Sequence, residues 1–181
     1  RMLAEYMDEV AIVDPNTPRV GLSENITHYQ YRVEDLSVEE CGLFDHIVLS
    51  NVLEHIDEPL AALKAVEKLL EDDGQIHILT PNCESLNRRI GVLMGAMEHI
   101  RVIPPNEVAI GHVQTFTVAD MRDLVQRAGF KIDLCQGVFL KPVPTPEMIE
   151  WPEERIKAFF EIAKTIPPDL CHEVYFKCLK N

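Results

Sequence analysis

Apolar residues in this chain follow two rhythms. Short continuous runs bounded by turn residues alternate with stretches in which apolar positions recur every third or fourth residue. Runs of the first kind suit strands buried on both faces of a parallel sheet, and stripes of the second kind suit amphipathic helices. Residues 1–7 read as the tail of a helix. Residues 9–14 (EVAIVD), closed by Pro15 and Asn16, read as a strand. Residues 27–33 alternate weakly and predict a second strand, followed by a turn at Glu34 and Asp35. Residues 46–50 (HIVLS) predict a third. Asp57 is a candidate N-cap with Glu58 and Pro59 in the first turn. Leu60, Leu63, Val66 and Leu70 form the stripe of that helix, and Gly74 is its expected stop. Residues 75–79 (QIHIL) are then a fourth strand.

The second half repeats the alternation. Ser85 caps a helix with Leu86, Ile90, Leu93 and Met97 on one face, a stripe expected to pack in the core, and Ile103–Asn106 with its two prolines breaks the pattern. Thr117 caps a helix with Asp120 in its first turn, and that helix ends at Ala128 before Gly129. Residues 131–140 predict a strand, and Pro142, Pro144 and Pro146 make an extended loop. Pro152 starts a helix over Ile156, Phe159, Phe160 and Ala163, which ends before Pro167 and Pro168. Residues 173–179 are the last strand. Strands alternating with helices predict an α/β three-layer sandwich with a mainly parallel sheet. The pattern alone does not fix the direction of the last two strands.

Composition narrows the function classes. A chain of 181 residues, 46% hydrophobic and 26% charged, is long enough for one domain with a sizeable core. No apolar run approaches the roughly 18 residues that span a membrane. The net charge of −13 argues against a nucleic-acid partner, because a phosphate backbone needs a basic face, and the basic cluster here is only Arg88, Arg89 and Arg101. Cys41, Cys83, Cys135, Cys171 and Cys178 are odd in number and show no metal-ligand spacing. They read as reduced thiols of a cytoplasmic protein rather than as a disulfide framework or a zinc site.

Residues 44–82 (FDHIVLSNVLEHIDEPLAALKAVEKLLEDDGQIHILTPN) run strand, acidic turn, helix, glycine, strand and Thr-Pro-Asn loop. Together with residues 111–130 (GHVQTFTVADMRDLVQRAGF), this order resembles a class I S-adenosylmethionine (SAM)-dependent methyltransferase of the small-molecule type, such as the quinone-biosynthesis and sugar or natural-product O-methyltransferases. The resemblance covers nearly the whole chain from Met2 onward. It implies a Rossmann-like, mainly parallel sheet with an antiparallel last strand inserted beside its predecessor.

The resemblance also implies site residues. Ligands in open α/β folds bind at the carboxyl ends of the strands. Asp14, at such an end, would accept the ribose hydroxyls of SAM, although an acid before Pro15 and Asn16 also forms turns. Asp35 would accept the adenine amino group and Leu36 would offer its backbone amide, with Glu34 a competing candidate if the register differs by one. Ser50 and Asn51 would lie against the methionine and adenosine parts. His112 is the candidate general base, ahead of His55 and His99, since a neutral imidazole works as a base near neutral pH. A structural hydrogen bond is the plainer role for each His. No metal is expected. The helix over residues 85–97 would cover the substrate or the core.

In that family a first strand and a Gly-x-Gly-x-Gly-like loop precede the helix that ends near Met7. Gly21, Gly42 and Gly74 stand in other contexts, so the domain spanning residues 1–181 is expected to be N-terminally incomplete and to lack the central first strand. The function expected is methyl transfer from SAM to a small-molecule acceptor, at oxygen, with oligomeric state open. A catalytically inactive methyltransferase-like scaffold is the alternative. A nicotinamide-dependent Rossmann enzyme is a third, opposed by the VLEH turn.

Overall fold

The computed structural model describes residues 5–16 and 24–181. Residues 1–4, which hold most of the expected N-terminal helix tail, and Gly21 lie outside the described residues. Strand β1 (Val10–Val13) pairs in parallel with β2 (Ile26–Tyr29) in a sheet of two. A second sheet has the order β3–β4–β6–β5, where β3 is Phe44–Ser50, β4 Leu70–Pro81, β5 Phe130–Phe139 and β6 Glu173–Lys180. β3 and β4 run parallel, and β6 is antiparallel to both β4 and β5. The last strand is therefore antiparallel and inserted beside its predecessor, as the resemblance implies. β3 forms an edge of its sheet and does not pair with β1.

Among the described residues six α-helices join the strands: α1 (Val38–Cys41), α2 (Pro59–Lys68), α3 (Leu86–Leu93), α4 (Pro105–Ala109), α5 (Val118–Arg127) and α6 (Glu153–Ala163). Several elements depart from the sequence reading. β2 ends at Tyr29 rather than at Val33, which instead opens a 3-10 turn at residues 33–35. The N-cap of α2 is Glu58 rather than Asp57, with Pro59 at the first helical position, where its missing N–H has no cost. Helix α2 stops at Lys68 rather than at Gly74. β4 already begins at Leu70, and the ladder slips from Phe44↔Leu70 to His46↔Gln75, so residues 71–74 form a bulge. Gly74 serves that bulge, since a Cβ there would lie 2.9 Å from the carbonyl oxygen of Glu71. Helix α3 ends at Leu93, and the expected stripe is not core: Leu86 and Met97 are half-buried, Ile90 is exposed and Leu93 is 87% exposed, while the buried residue of this helix is Arg88.

The core lies on one face of the four-stranded sheet. Ile76 and Ile78 of β4, Val174, Phe176 and Cys178 of β6 and Phe130 of β5 meet Leu63 and Val66 of α2 and Met121, Leu124 and Val125 of α5. Each such large aliphatic side chain contributes about 1.5–3 kcal/mol on burial. Helix α5 is fixed at its start by a reciprocal capping box, in which Asp120 N–H donates to Thr117 Oγ1 at 3.1 Å and Thr117 N–H donates to Asp120 Oδ2 at 2.8 Å. It ends at Arg127 with Ala128 as its C-cap, followed by Gly129, whose φ of 97° only glycine takes without strain. Helix α6 packs on β5, with the Phe139 ring 4.7 Å from that of Phe160.

Candidate active site

The carboxyl ends of the parallel strands carry the residues singled out from the sequence. Asp14 follows β1 and is exposed. Its Oδ1 accepts the backbone N–H and the side-chain amide of Asn16, both at 2.7 Å, so the acid also shapes the turn. Glu34 and Asp35 close a 3-10 turn at residues 33–35, where Asp35 is exposed and Leu36 behind it is buried. Ser50 is the exposed last residue of β3. Asn51 has φ 53°, the only non-glycine residue at positive φ among the described residues, and its N–H donates to the Leu79 carbonyl at 2.9 Å. Such a conformation is locally costly and concentrates at functional turns. Burial pushes the Glu173 carboxyl at the start of β6 above its ordinary value, and the Asn51 side chain opposes part of that rise.

The VLEH turn follows as a 3-10 segment at residues 53–55. It is stapled to the stretch before α5: Val113 N–H donates to the Glu54 carbonyl at 2.9 Å, and the Gln114 amide donates to the carbonyls of Leu53 and Ile56. This staple brings His112 over the turn, so that the rings of His55 and His112 meet edge to face at 4.8 Å. His112 is nearly buried and His55 exposed. His99 is exposed and accepts the backbone N–H of Arg101.

Glu54 is the least satisfied group here. It is 2% exposed, and neither carboxyl oxygen has a hydrogen-bond partner; the neighbouring Thr80 hydroxyl lies outside hydrogen-bond geometry and is unpaired as well. Burial, the larger influence, raises the Glu54 pKa, while its own backbone amide and His55 lower it. One polar atom each from Glu54, His55 and His112 lies within 4.8 Å of the others. A carboxyl and two imidazoles are donor types that hold either a proton or a divalent cation. A cavity of about 10 Å³, enough for one water, opens between Glu54, Cys83, Arg88, Glu107 and His112. A larger open hollow of about 580 Å³ lies by Arg122, Phe130 and Asp133, at the opposite end of β5 from this site.

Sequence reasoning missed several of these groups. The three arginines taken as a basic cluster are spent on separate acids: Arg88 on Glu107, Arg89 on Asp169 and Arg101 on Asp120. Asn82 is buried and donates its amide to the carbonyls of Asp169 and Cys171, both at 2.9 Å, which ties the turn before β6 to the end of β4. His172 is held neutral, with its pKa lowered to about 4 by burial and then by Lys141 and Arg88. Nothing in the local sequence marks these partners, which come from elements far apart in the chain.

Comparison with known proteins identifies the family. The family described as a methyltransferase domain matches residues 1–134. The ubiquinone biosynthesis O-methyltransferase of Xanthomonas axonopodis pv. citri is 28% identical over 128 residues, covering 68% of this chain and 52% of its own length. That of Vibrio campbellii is 24% identical over 105 residues, covering 56% and 44%. The chain thus spans about half the length of the curated relatives it matches. Among solved structures, a SAM-dependent methyltransferase from Mesorhizobium loti superposes with TM-score 0.59 at 16% identity, over 96% of this chain and 81% of that one. One from Archaeoglobus fulgidus gives 0.57 at 16%, over 94% and 75%. These likenesses agree with the fold, and no helix among the described residues is long and apolar enough to cross a membrane. By its match over most of the sequence, the chain belongs to the methyltransferase domain family.

Proposed function

We propose that this chain methylates a hydroxyl oxygen of a small molecule, using SAM. The observation that supports the reading most is the nearly buried His112 ring beside Glu54 and His55, at the turn that follows the carboxyl end of β3. The names of the relatives, O-methyltransferases, point the same way. When bound, SAM supplies a methyl group on a sulfonium, which passes to the acceptor oxygen.

The residues fit that group in kind. Asp14 is an exposed carboxylate at a strand end, suited to ribose hydroxyls. Asp35 and the backbone amide of Leu36 suit the adenine edge, and Ser50 and Asn51 flank the methionine part. His112 takes the hydroxyl proton of the acceptor at Nε2. Most of the rate comes from holding acceptor and methyl in line, an effect of about 7–11 kcal/mol in favourable cases. The arginines nearest the site are already paired with acids, so a neutral acceptor suits it better than a polyanion.

The reading is tested by transfer of labelled methyl from SAM to a simple catechol, with His112→Ala and Asp14→Ala alongside. Transfer that falls a hundredfold or so in His112→Ala supports the base assignment. Transfer equal to the wild type in both variants overturns it.

A further inference from the structure

Arg88 lies in the first turn of α3, at the position its helix buries. Its Nη1 donates to the carbonyls of Ile100 and Val102 at 3.1 and 2.8 Å, and its Nη2 reaches both carboxylate oxygens of Glu107 at 2.7 and 2.6 Å. One guanidinium on α3 therefore fastens the loop after it and the acid of α4. Glu107 is in turn addressed to one histidine twice. Its backbone carbonyl accepts the His112 N–H at 3.1 Å, and its Oε2 lies 3.6 Å from His112 Nδ1. The second contact is an ion-pair distance, longer than a hydrogen bond, and contacts of this kind tighten when a site is loaded.

The ring is faced by Glu107 from α4, by Glu54 and His55 from the turn at residues 53–55, and across the small cavity by Arg88 from α3 and Cys83 after β4. Lys141 acts on Glu107 through space. Among these, Glu107 stands at Nδ1. A carboxylate at Nδ1 keeps a proton on that nitrogen and leaves Nε2 as the acceptor. Because Arg88 already balances its charge, Glu107 acts by orienting the ring.

We propose that Glu107, held by Arg88, is the positioning residue of His112, fixing the Nδ1–H tautomer so that Nε2 faces the acceptor. This rests on the base assignment above. Its test does not depend on turnover: long-range proton–nitrogen spectra of the 15N-labelled full chain report the His112 tautomer directly. The wild type is expected as Nδ1–H. In Glu107→Gln, Arg88 draws the amide oxygen and turns the NH2 toward the ring, so the tautomer moves to Nε2–H. Glu107→Asp keeps the carboxylate and returns the Nδ1–H form, which guards against a variant that merely misfolds. In methyl transfer, kcat falls about tenfold in Glu107→Gln with KM for SAM unchanged, and Glu107→Asp recovers part of it. An Nε2–H ring in the wild type, or an unchanged tautomer in Glu107→Gln, overturns the proposal. A tautomer that moves while kcat does not leaves the positioning role in place and overturns the base assignment of His112.

Discussion

Asn51 donates its N–H to the Leu79 carbonyl at 2.9 Å while its backbone sits at φ 53°, so the end of β3 is locked to β4 in a conformation most residues resist. A β-branched residue resists it most. Asn51→Val is expected to lower unfolding stability by about 1–3 kcal/mol, and Asn51→Gly to leave it within about 0.5 kcal/mol. Urea unfolding measures both. If the strain serves the site, Asn51→Gly also loses methyl transfer although it is as stable as the wild type.

Glu54 makes stability fall with pH. Its folded pKa is raised above the ordinary 4.5 by burial, so the unfolded chain releases the proton first. As pH rises from 4.5 through the folded value, the folded state binds more protons than the unfolded one, and stability drops. Glu54→Gln removes that penalty. It is expected to be more stable than the wild type by about 1–3 kcal/mol at pH 7 and equal to it near pH 4. A variant less stable than the wild type at pH 7 would mean that the carboxylate is satisfied in solution.

Asp120 carries the opposite sign. Burial raises its pKa, but the hydrogen bonds from Arg101 and Thr117 together hold it below the ordinary 3.8. The stability it adds is fully present above that value and is lost as pH falls through the lower folded pKa. Asp120→Asn should flatten this acid limb. Thr117→Ala, which removes the other half of the capping box, should cost about 1 kcal/mol at neutral pH. Unfolding curves at pH 3 and pH 7 for both variants check the pair.

The strand and helix periodicities were legible where neighbours in the chain decide the outcome. Thr117, Asp120 and Gly129 delimit α5 by local hydrogen bonds and backbone preference, and the structure keeps all three. The α2 stripe at Leu63 and Val66 is buried as its spacing requires. Gly74 misled because a glycine after a helical stripe reads as a left-handed stop, whereas this one is not at positive φ and is needed only because the bulge leaves no room for a Cβ. The α3 stripe misled because periodicity shows that a helix has two faces but not which one is covered. Here Arg88, with four acceptors brought from residues 100–107, claims the inner face and turns Leu93 outward. The orphaned carboxyl of Glu54 and the Glu107–His112 contact depend on tertiary packing, and no spacing in the sequence encodes them.

The carboxyl ends of β1, β2 and β3 are the proposed seat of SAM. Calorimetric titration of S-adenosylhomocysteine into the purified protein, with Asp14→Ala and Asp35→Ala in parallel, tests it most directly. Micromolar binding is expected, weakened about tenfold in each variant by the loss of roughly one charge-assisted hydrogen bond. Binding of equal strength in the wild type and both variants, or no heat in any of them, would contradict it.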